Sequence, residues 1–558
     1  MHQTWRWAFP VILLLATTLA AAGGYLWPTR GIAVELTSVM CDKRNDHPHA
    51  GIDLSLHGRV GTVPIVAVGD GVLMRIRDNR HGYGKALYVR MPDKRVAVYA
   101  HLDRFSPRLQ QIGEDLRRRQ GLRRLDYYFE EWELTIPIAR GEVIAYGGNT
   151  GTSTAHLHFE LRDDDIVNLN PLTNGFPVED HLAPTIRAAL VVPVSPDARV
   201  AGAARSRVVP IPAGNAVANP IRVKGRVGLA VDAFDRTRSK GRRFAPYRIG
   251  VVVDGEPFFE TRYEQWSWFE KSLIWAQYDV GAKQRLFHRA YNPYPVDIPF
   301  FSAAAAGTFD RLPPGPHKVE VAVADAAGNS SSFTLAIEVE AGDVTKTAAR
   351  GEGSHGLFNN RRVAVDDGAF YIAGEEFSFY EPVRINVVRR ESPLVGSTCY
   401  TVSDPGTVMR RDHLVGFRLP ETEAVGPRPG IVHWKRDKAE WLEPIDDGPR
   451  GYVAARTSEF GIFCLAGDGN VPAISNVRRG RGRAVVTFSA SDDLSGLTWQ
   501  AAQVLIDGKS ALAYYEPGRG VGGAEIYWAL KTGAHKAEIT LTDRAGNQAR
   551  RSFGFNTR

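Results

Sequence analysis

The sequence predicts an all-β chain made of several domains. Three observations support this: the length of 558 residues, short runs of alternating apolar and polar residues, and a segment that occurs twice. At about 150 residues per domain, the length corresponds to roughly four domains. Alternation with a period of two predicts half-buried β-strands, and the 55 glycines and 33 prolines predict many turns between them.

The composition excludes several protein classes. Hydrophobic residues make up 44% and charged residues 23% of the chain, which excludes disorder throughout. The 3 cysteines are too few for a disulfide scaffold or for a cysteine-based zinc or iron–sulfur site. The net charge of +7 arises from 69 basic and 62 acidic residues, and over this length it does not indicate nucleic-acid binding.

The N-terminus predicts export from the cytoplasm. Arg6 is followed by an uncharged stretch that reaches Arg30, with an apolar centre and three alanines at 20–22. This pattern is typical of a secretory signal peptide. The stretch is also long enough to span a bilayer as an uncleaved inner-membrane anchor, with Trp27 at the far interface. Residues 1–31 are therefore predicted to be either a signal peptide or a membrane anchor.

The cysteines leave two possibilities open. In an oxidising compartment, Cys399 and Cys464 can form a disulfide and leave Cys41 unpaired. The alternative is three buried free thiols.

An internal repeat defines two β-sandwich domains, predicted at 180–342 and 470–558. Residues 315–329 recur as residues 533–547, and each copy is an alternating strand followed by an Asp-x-x-Gly-Asn turn. Upstream, both copies carry a Pro-x-Ile start, an acidic strand end and an Asp-Gly hairpin signal in the same order. The acidic ends and hairpin signals are Asp232, Asp235, Asp254-Gly255, Asp492-Asp493 and Asp507-Gly508. Both copies resemble bacterial immunoglobulin-like domains.

The segment between the two copies is also patterned as strands. A third β-sandwich is predicted at 356–469, with Trp434, Trp441 and Phe463 in its core. Residues 341–355 are rich in glycine, alanine and threonine, and we expect a linker there.

Candidate chemistry is concentrated in three short histidine motifs within the first 175 residues. They read His49-Ala-Gly-Ile-Asp53, Tyr99-Ala-His101-Leu102 and His156-Leu-His158-Phe-Glu160. On a strand, His156 and His158 share one face about 7 Å apart, so both can address one site. His49 and Asp53 would lie about 13 Å apart on a straight strand, so the backbone must bend between them for both to reach that site.

The histidine motifs fit a hydrolytic zinc site. Such a site uses three nitrogen or oxygen ligands and leaves one position open for water. His49, Asp53 and His158 would supply two imidazoles and one carboxylate, and Gly51 is the residue able to bend the backbone. Each residue taken singly is weak support, because most histidines in proteins bind no metal. The three motifs within one domain-sized stretch are much less common by chance.

Together these motifs resemble those of lysostaphin-type (LytM-like) zinc metalloendopeptidases, which cut peptide bonds in bacterial peptidoglycan. The resemblance covers roughly residues 45–172. It includes connecting segments as well as the histidines. These segments are Gly61-Thr62, residues 64–67, residues 70–72, Gly82-Tyr83-Gly84, residues 141–144, residues 148–151 and Asn170-Pro171.

The resemblance implies a peptidase domain of antiparallel sheets at 32–178. It implies that His49, Asp53 and His158 bind Zn²⁺ and that His101 and His156 are catalytic without binding the metal. The expected substrates are peptidoglycan stem peptides or cross-links, and the expected location is the cell envelope, in the periplasm or anchored facing it. The sequence identifies no protein partner. Glu160 is an alternative base, although its position two residues from a ligand favours a supporting hydrogen bond.

Two features depart from the family pattern. The loop before His156 is one residue shorter than usual, which affects how this histidine is placed. The stretch 103–137 is longer than the fold requires, and Leu109, Ile112 and Leu116 have helical spacing. We expect either a wall over the substrate groove or a solvated surface helix.

Three functions in different classes are compatible with the sequence. The first is a murein hydrolase with β-sandwich accessory domains. The second is a non-catalytic envelope protein that regulates other murein hydrolases, a role that the intact His49, Asp53 and His158 argue against. The third is an adhesin or structural envelope protein in which the sandwiches act and the first domain serves only as an anchor.

Overall fold

The structure, a computed structural model, describes residues 24–557 with gaps. The gaps are 45–46, 80–81, 122–123, 130–134, 165, 196, 213, 239–240, 271–275, 281–284, 294–296, 303–305, 342–353, 358–361, 376–377, 379–382, 391–397, 404–411, 420–427, 436–437, 446–448, 481–483 and 527. Most of the predicted signal or anchor segment and most of the predicted linker lie outside the described residues. Among the residues that are described, no helix has the length and apolar character needed to cross a membrane.

The predicted all-β fold class is confirmed, and strands make up nearly all described elements. The strands of the first part form a single sheet with the order β1-β2-β10-β6-β5-β4-β7, to which shorter strands are added. These strands are β1 (Leu36–Ser38), β2 (Ile52–Ser55), β3 (Pro64–Val66), β4 (Gly71–Asp78), β5 (Lys85–Arg90), β6 (Arg95–Phe105), β7 (Leu125–Tyr128), β8 (Pro137–Ile138), β9 (Val143–Gly147), β10 (His156–Asp163) and β11 (Val167–Leu169). All pairings among them are antiparallel.

The predicted helical spacing in the 103–137 stretch is confirmed by helix α1 (Pro107–Gln120). Proline at the first helical position favours initiation, and the helix ends at Gly121, whose φ of 65° is left-handed. The apolar stripe packs on the sheet and buries Leu109 and Leu116. Arg117 also pairs with Asp78 of β4. The helix is therefore attached to the sheet by one face and is not a free surface element.

The segment predicted as the first sandwich contains two sheets. Its strands are β12 (Thr185–Pro193), β13 (Arg199–Val200), β14 (Arg207–Pro210), β15 (Ala216–Lys224), β16 (Val227–Phe234), β17 (Arg248–Val253), β18 (Glu256–Arg262), β19 (Gln265–Ser267), β20 (Tyr278–Val280), β21 (Leu286–Arg289), β22 (Gly315–Ala324) and β23 (Ser330–Val339). The sheets have the orders β14-β12-β16-β21-β20 and β13-β15-β23-β22-β17-β18, and the β15–β23 pair is parallel. Apolar residues from both sheets form a shared core.

Strand β19 joins the first sheet instead of either sandwich sheet. It pairs with β11, with Val167 opposite Ser267, and extends the sheet that carries the histidine motifs. Each part also contributes a side chain to the core of the other. Phe244 of the sandwich segment packs in the core of the first part, and Cys41 of the first part packs in the sandwich core. These two parts of the chain thus form a continuous structure.

The next segment also contains two sheets, of six and four strands. Its strands are β24 (Ser354–Leu357), β25 (Arg362–Val365), β26 (Phe370–Ala373), β27 (Val383–Arg390), β28 (Cys399–Ser403), β29 (His413–Arg418), β30 (Pro429–Lys435), β31 (Lys438–Leu442), β32 (Tyr452–Thr457) and β33 (Gly461–Gly467). Cys399 and Cys464 lie opposite each other on β28 and β33 and form a disulfide. Cys41 is a buried free thiol. Of the two possibilities for the cysteines, the structure therefore contains the disulfide.

The last segment reproduces the repeat as two four-stranded sheets. Its strands are β34 (Ala473–Arg479), β35 (Ala484–Ser491), β36 (Ala502–Ile506), β37 (Lys509–Ser510), β38 (Leu512–Glu516), β39 (Val521–Glu525), β40 (Gly533–Thr542) and β41 (Gln548–Thr557). The repeated sequence forms the hairpin β22–β23 in one copy and β40–β41 in the other. Both Asp-Gly signals form hairpin turns with positive φ, at Asp254 and Asp507. The structure therefore confirms the repeat.

Residues 24–31 contribute to the folded first part. Tyr25 stacks on Phe176 with ring centroids 5.3 Å apart, and Trp27 meets the same ring edge-on at 5.6 Å. The anchor hypothesis placed Trp27 at a membrane interface, whereas in the structure it packs against protein. The folded part therefore begins several residues before the predicted boundary at residue 32.

Gly51 has a steric role next to β2. Its φ is not positive, so the predicted bend does not use left-handed backbone. A Cβ atom at this position would lie 2.1 Å from the carbonyl oxygen of Phe159 on β10. Only glycine allows the chain before β2 to approach β10 this closely.

We expect Gly51→Ala to lower the free energy of unfolding by about 1–3 kcal/mol, because the added methyl group must separate β2 from β10. Chemical denaturation measures the change. Gly250→Ala on β17 is the matched control, since a Cβ there meets no atom within 4 Å. Equal stability of the two variants would contradict this role of Gly51.

Candidate metal centre

Strand pairing brings the three histidine motifs together. Strand β10 lies between β2 and β6, with His158 opposite Asp53 on one side and opposite Ala100 on the other. His49 lies in the loop that leads into β2, and His101 follows Ala100 on β6. Residues from three distant parts of the sequence therefore meet at one end of these strands.

Three donor atoms converge within hydrogen-bonding distance of each other. His49 Nε2 lies 3.1 Å from Asp53 Oδ1 and 3.0 Å from His158 Nδ1, and the last two atoms are 2.8 Å apart. All three residues are buried. A single ion at about 2.0–2.2 Å from each atom can bridge this spacing, and two imidazoles with a carboxylate are a donor set that zinc accepts.

The opposite nitrogen of each buried imidazole is held by the protein. His49 Nδ1 lies 2.8 Å from the carbonyl oxygen of Val39, so it donates its proton there. His158 Nε2 lies 2.7 Å from Glu160 Oε1 and donates to that carboxylate. The other nitrogen of each ring, His49 Nε2 and His158 Nδ1, therefore faces the centre, which is the orientation that metal-binding histidines adopt.

Glu160 lies behind His158 and away from the centre. It is fully buried, and besides His158 it accepts hydrogen bonds from the Tyr83 hydroxyl at 2.5 Å and from Arg162 Nε at 2.7 Å. Burial alone would raise the pKa of Glu160, but the Arg162 guanidinium and the bond to His158 lower it to about 2. The alternative role as a general base does not fit this geometry, because both carboxylate oxygens already have donors.

Asp53 remains ionised because of its neighbours. Burial opposes its charge, but His49 and His158 hold the pKa of the Asp53 carboxyl well below its usual value. Its second oxygen, Oδ2, accepts a hydrogen bond from Arg44 Nη2 at 2.8 Å. The remaining oxygen, Oδ1, is the one that faces the two imidazoles.

His101 and His156 lie beside the three donor atoms as a second pair of imidazoles. Their ring centroids are 4.7 Å apart, and the His101 ring is 5.8 Å from that of His158. His101 Nδ1 donates to the carbonyl of Thr150 at 2.9 Å, and His156 Nδ1 donates to that of Thr154 at 3.0 Å. Each ring therefore keeps a lone pair on Nε2, and in His156 this atom is 3.7 Å from Asp53 Oδ1.

The protein keeps this second pair of imidazoles neutral. Burial, with help from the neighbouring His158, lowers the pKa of His101 to about 3. Burial also lowers the pKa of His156. His101 has a φ of 59°, a left-handed conformation that costs free energy for a residue with a side chain.

The shortened loop before His156 is held against two other segments of the motif set. Thr150 Oγ1 donates to the carbonyl of Leu102 at 2.7 Å and accepts from the Lys85 amide at 2.8 Å. A Cβ on Gly84 would lie 2.1 Å from the Thr150 carbonyl oxygen, so this close packing requires glycine. These contacts place the Thr150 carbonyl that orients His101.

The sequence did not indicate several residues around the centre that come from the sandwich segment. Trp266 Nε1 lies 3.4 Å from the carbonyl oxygen of His49, and Trp268 packs at 5.2 Å between ring centroids from His47. Arg162 lies over the Trp268 ring at 5.7 Å. Because Trp266 and Trp268 are about 100 residues from the last histidine motif, no local pattern could have connected them to it.

A groove of about 640 Å³ opens beside Asp53 and His156. Four cationic side chains line it, against the carboxylates of Asp42 and Asp53. The cationic side chains are Lys43, Arg44, Arg242 and Arg243. Two of them come from the sandwich segment, so both parts of the chain contribute to the groove.

Comparison with known proteins shows relatives of part of the chain. The murein hydrolase activator NlpD of Salmonella typhimurium is 28% identical over 146 residues, which are 26% of this chain and 30% of that protein. An uncharacterised metalloprotease of Haemophilus influenzae is 30% identical over 131 residues, 23% of this chain and 22% of that protein. The chain thus spans less than a third of the length of these relatives. No model of a known protein family matches the sequence.

Solved structures match a similar fraction of this chain. The catalytic domain of the prophage-encoded protein EnpA from Enterococcus faecalis is 20% identical, with a TM-score of 0.18, over 24% of this chain and 85% of that one. A zinc-containing peptidase from Vibrio cholerae is 20% identical, with a TM-score of 0.20, over 28% of this chain and 40% of that one. The sequence relatives confirm the resemblance inferred from the histidine motifs: the chain carries a domain of the lysostaphin and LytM type.

Proposed function

We propose that this protein is a zinc-dependent endopeptidase that hydrolyses peptide bonds in bacterial peptidoglycan. The observation that carries the proposal is the convergence of His49 Nε2, Asp53 Oδ1 and His158 Nδ1 within 3.1 Å of each other. A chain that only bound other proteins would have no need of three buried donor atoms, each oriented by a hydrogen bond or an ion pair on its far side.

His49, Asp53 and His158 would hold the zinc ion, which when bound supplies a Lewis acid for water and for the peptide carbonyl. His101 and His156 accept and return protons at Nε2, because their Nδ1 protons are committed to backbone carbonyls. Once protonated, either imidazolium can donate a hydrogen bond to the oxyanion that develops on the attacked carbonyl. Glu160 and Arg44 keep the ligands oriented and charged.

The cationic groove suggests that the substrate is anionic. Lys43, Arg44, Arg242 and Arg243 favour a peptide that carries free carboxylates, and stem peptides of peptidoglycan carry several. The relatives support the same substrate class, because NlpD is a murein hydrolase activator. An exported location in the cell envelope follows from this substrate, and the Cys399–Cys464 disulfide suits an oxidising compartment.

The second candidate function is activation of other murein hydrolases, which the similarity to NlpD favours. Incubation of the purified protein with peptidoglycan sacculi separates the two. The enzyme is expected to release soluble peptide fragments by itself and to stop when a zinc chelator is added. Release only in the presence of a second murein hydrolase would instead support the activator function.

We expect His158→Ala to abolish both zinc binding and peptide release, because one of the three donor atoms is removed. His101→Ala should keep zinc near one ion per chain and lower kcat by about 10²–10⁴-fold, the usual contribution of a general acid or base. Metal analysis and fragment release are measured on both variants. Loss of zinc in the His101 variant alone would overturn the assignment of ligands.

We expect Glu160→Gln to weaken zinc binding by about 10–100-fold, because the amide no longer holds the His158 ring as a charged acceptor. Competition with a chromophoric chelator measures the affinity. Glu179→Gln is the control, since the Glu179 side chain is 88% exposed. An unchanged affinity in the Glu160 variant would show that this carboxylate does not support the metal.

We expect the double variant Arg242→Ala with Arg243→Ala to raise KM for anionic peptides several-fold at low salt and to leave kcat nearly unchanged. Added salt should reduce the difference from the wild type, because screening weakens the attraction in both proteins. Arg207→Ala, an exposed position on β14, is the control. A fall in kcat at constant KM would contradict a role of the groove in binding.

A further inference from the structure

A second cluster of buried acidic side chains lies outside the histidine centre. Asp180 precedes β12, Asp235 follows β16 and Asp325 follows β22, so three separate segments meet at one end of the first sandwich. Each residue offers a carboxylate oxygen, and these oxygens all lie within 4.8 Å of one another. The three residues are only 8%, 7% and 4% exposed, respectively.

The described part of the chain places no lysine or arginine in an ion pair with this cluster. Oδ1 of Asp235 is buried and has no hydrogen-bond donor in the described part of the chain. Three neighbouring buried carboxylates of this kind are costly, and a bound cation is one of the few ways in which proteins stabilise them.

We propose that Asp180, Asp235 and Asp325 bind a calcium ion at the end of the first sandwich, where the chain leaves the LytM-type domain. The donor set is all oxygen, which suits a hard cation and is a poorer match for zinc. Calcium binds its oxygens at about 2.3–2.6 Å, so two oxygens on one ion can lie up to about 4.6–5.2 Å apart, and the three carboxylates are close enough to share such an ion. Magnesium usually keeps several waters and is held by one or two carboxylates, so a set of three buried carboxylates favours calcium.

The internal repeat carries the same arrangement a second time. Asp468, Asp492 and Asp543 occupy the matching positions before β34, after β35 and after β40, and they also lie within 4.8 Å. In both copies the turn asparagine donates to the carbonyl of the first aspartate, from Asn329 at 3.0 Å and from Asn547 at 3.1 Å. The cluster is therefore a property of the module and does not depend on its neighbour in the chain.

A cation at Asp180 would fix the segment that connects the LytM-type domain to the sandwich. Asp180 lies in the connection between β11 and β12, whereas its two partners lie on the sandwich itself. Binding would therefore restrict the movement of this connection without touching the histidine centre. The proposal is independent of the endopeptidase function and remains testable in a protein without activity.

Equilibrium dialysis of the full chain against calcium tests the proposal. The protein is first freed of divalent ions and then loaded with zinc. We expect Asp235→Asn to bind one calcium ion fewer per chain than the wild type. Asp310→Asn, an exposed aspartate of the same segment, should bind as many as the wild type. Equal calcium binding by the wild type and Asp235→Asn, or no calcium binding by the wild type, would overturn the proposal.

Thermal unfolding of the same proteins distinguishes a lost site from a damaged fold. Calcium should raise the Tm of the wild type and of Asp310→Asn but not that of Asp235→Asn. Without calcium, Asp235→Asn should unfold at or above the wild-type temperature, because one of three adjacent charges is removed. An equal rise of Tm with magnesium at the same concentration would overturn the assignment to calcium.

Discussion

The antiparallel pairing of β2 with β10 is the constraint on which the candidate centre depends. It sets Asp53 directly opposite His158, so the carboxylate and one imidazole meet through backbone hydrogen bonds alone. The pairing of β10 with β6 then places His101 next to the same point. Because side chains alternate along a strand, a slip of one residue in either pairing would turn these groups to opposite faces. The strand register thus determines which side chains meet at the site.

The remaining geometry is supplied by groups that never touch the centre. The carbonyl of Val39 and the carboxylate of Glu160 determine which nitrogen of His49 and of His158 is free. The carbonyls of Thr150 and Thr154 do the same for His101 and His156. Each of the four imidazoles therefore has one ring nitrogen bound by the protein and the other turned toward the site. The rings of His49 and His158 direct this second nitrogen at the three converging donor atoms, whereas His101 and His156 lie beside them.

Much of this arrangement could be predicted from the sequence, because the patterns involved are local. Alternating strands, the repeated Asp-x-x-Gly-Asn turn and the helical spacing in α1 all depend on near neighbours. The histidine motifs could be grouped because they resemble a known family. Contacts across the chain could not be predicted in this way. Trp266 near His49 and the pairing of β19 with β11 join segments about 100 residues or more apart and leave no local pattern.

The role of Gly51 could also be identified only from the structure. The sequence indicated that the chain must bend between His49 and Asp53, and Gly51 was expected to provide the bend. In the structure the turn uses ordinary backbone, and the glycine is required because the main chain of Phe159 is in contact with it. A single residue type can serve several physical purposes, and the sequence does not show which one applies.

The pairing of β19 with β11 has a consequence for how the protein can be divided. A fragment that ended after the LytM-type domain would leave the outer edge of β11 without a neighbour and would uncover apolar surface beneath Phe244. Unprotected strand edges promote self-association. The smallest soluble piece that retains the histidine centre should therefore extend through residue 339, where β23 ends, and not stop near residue 178.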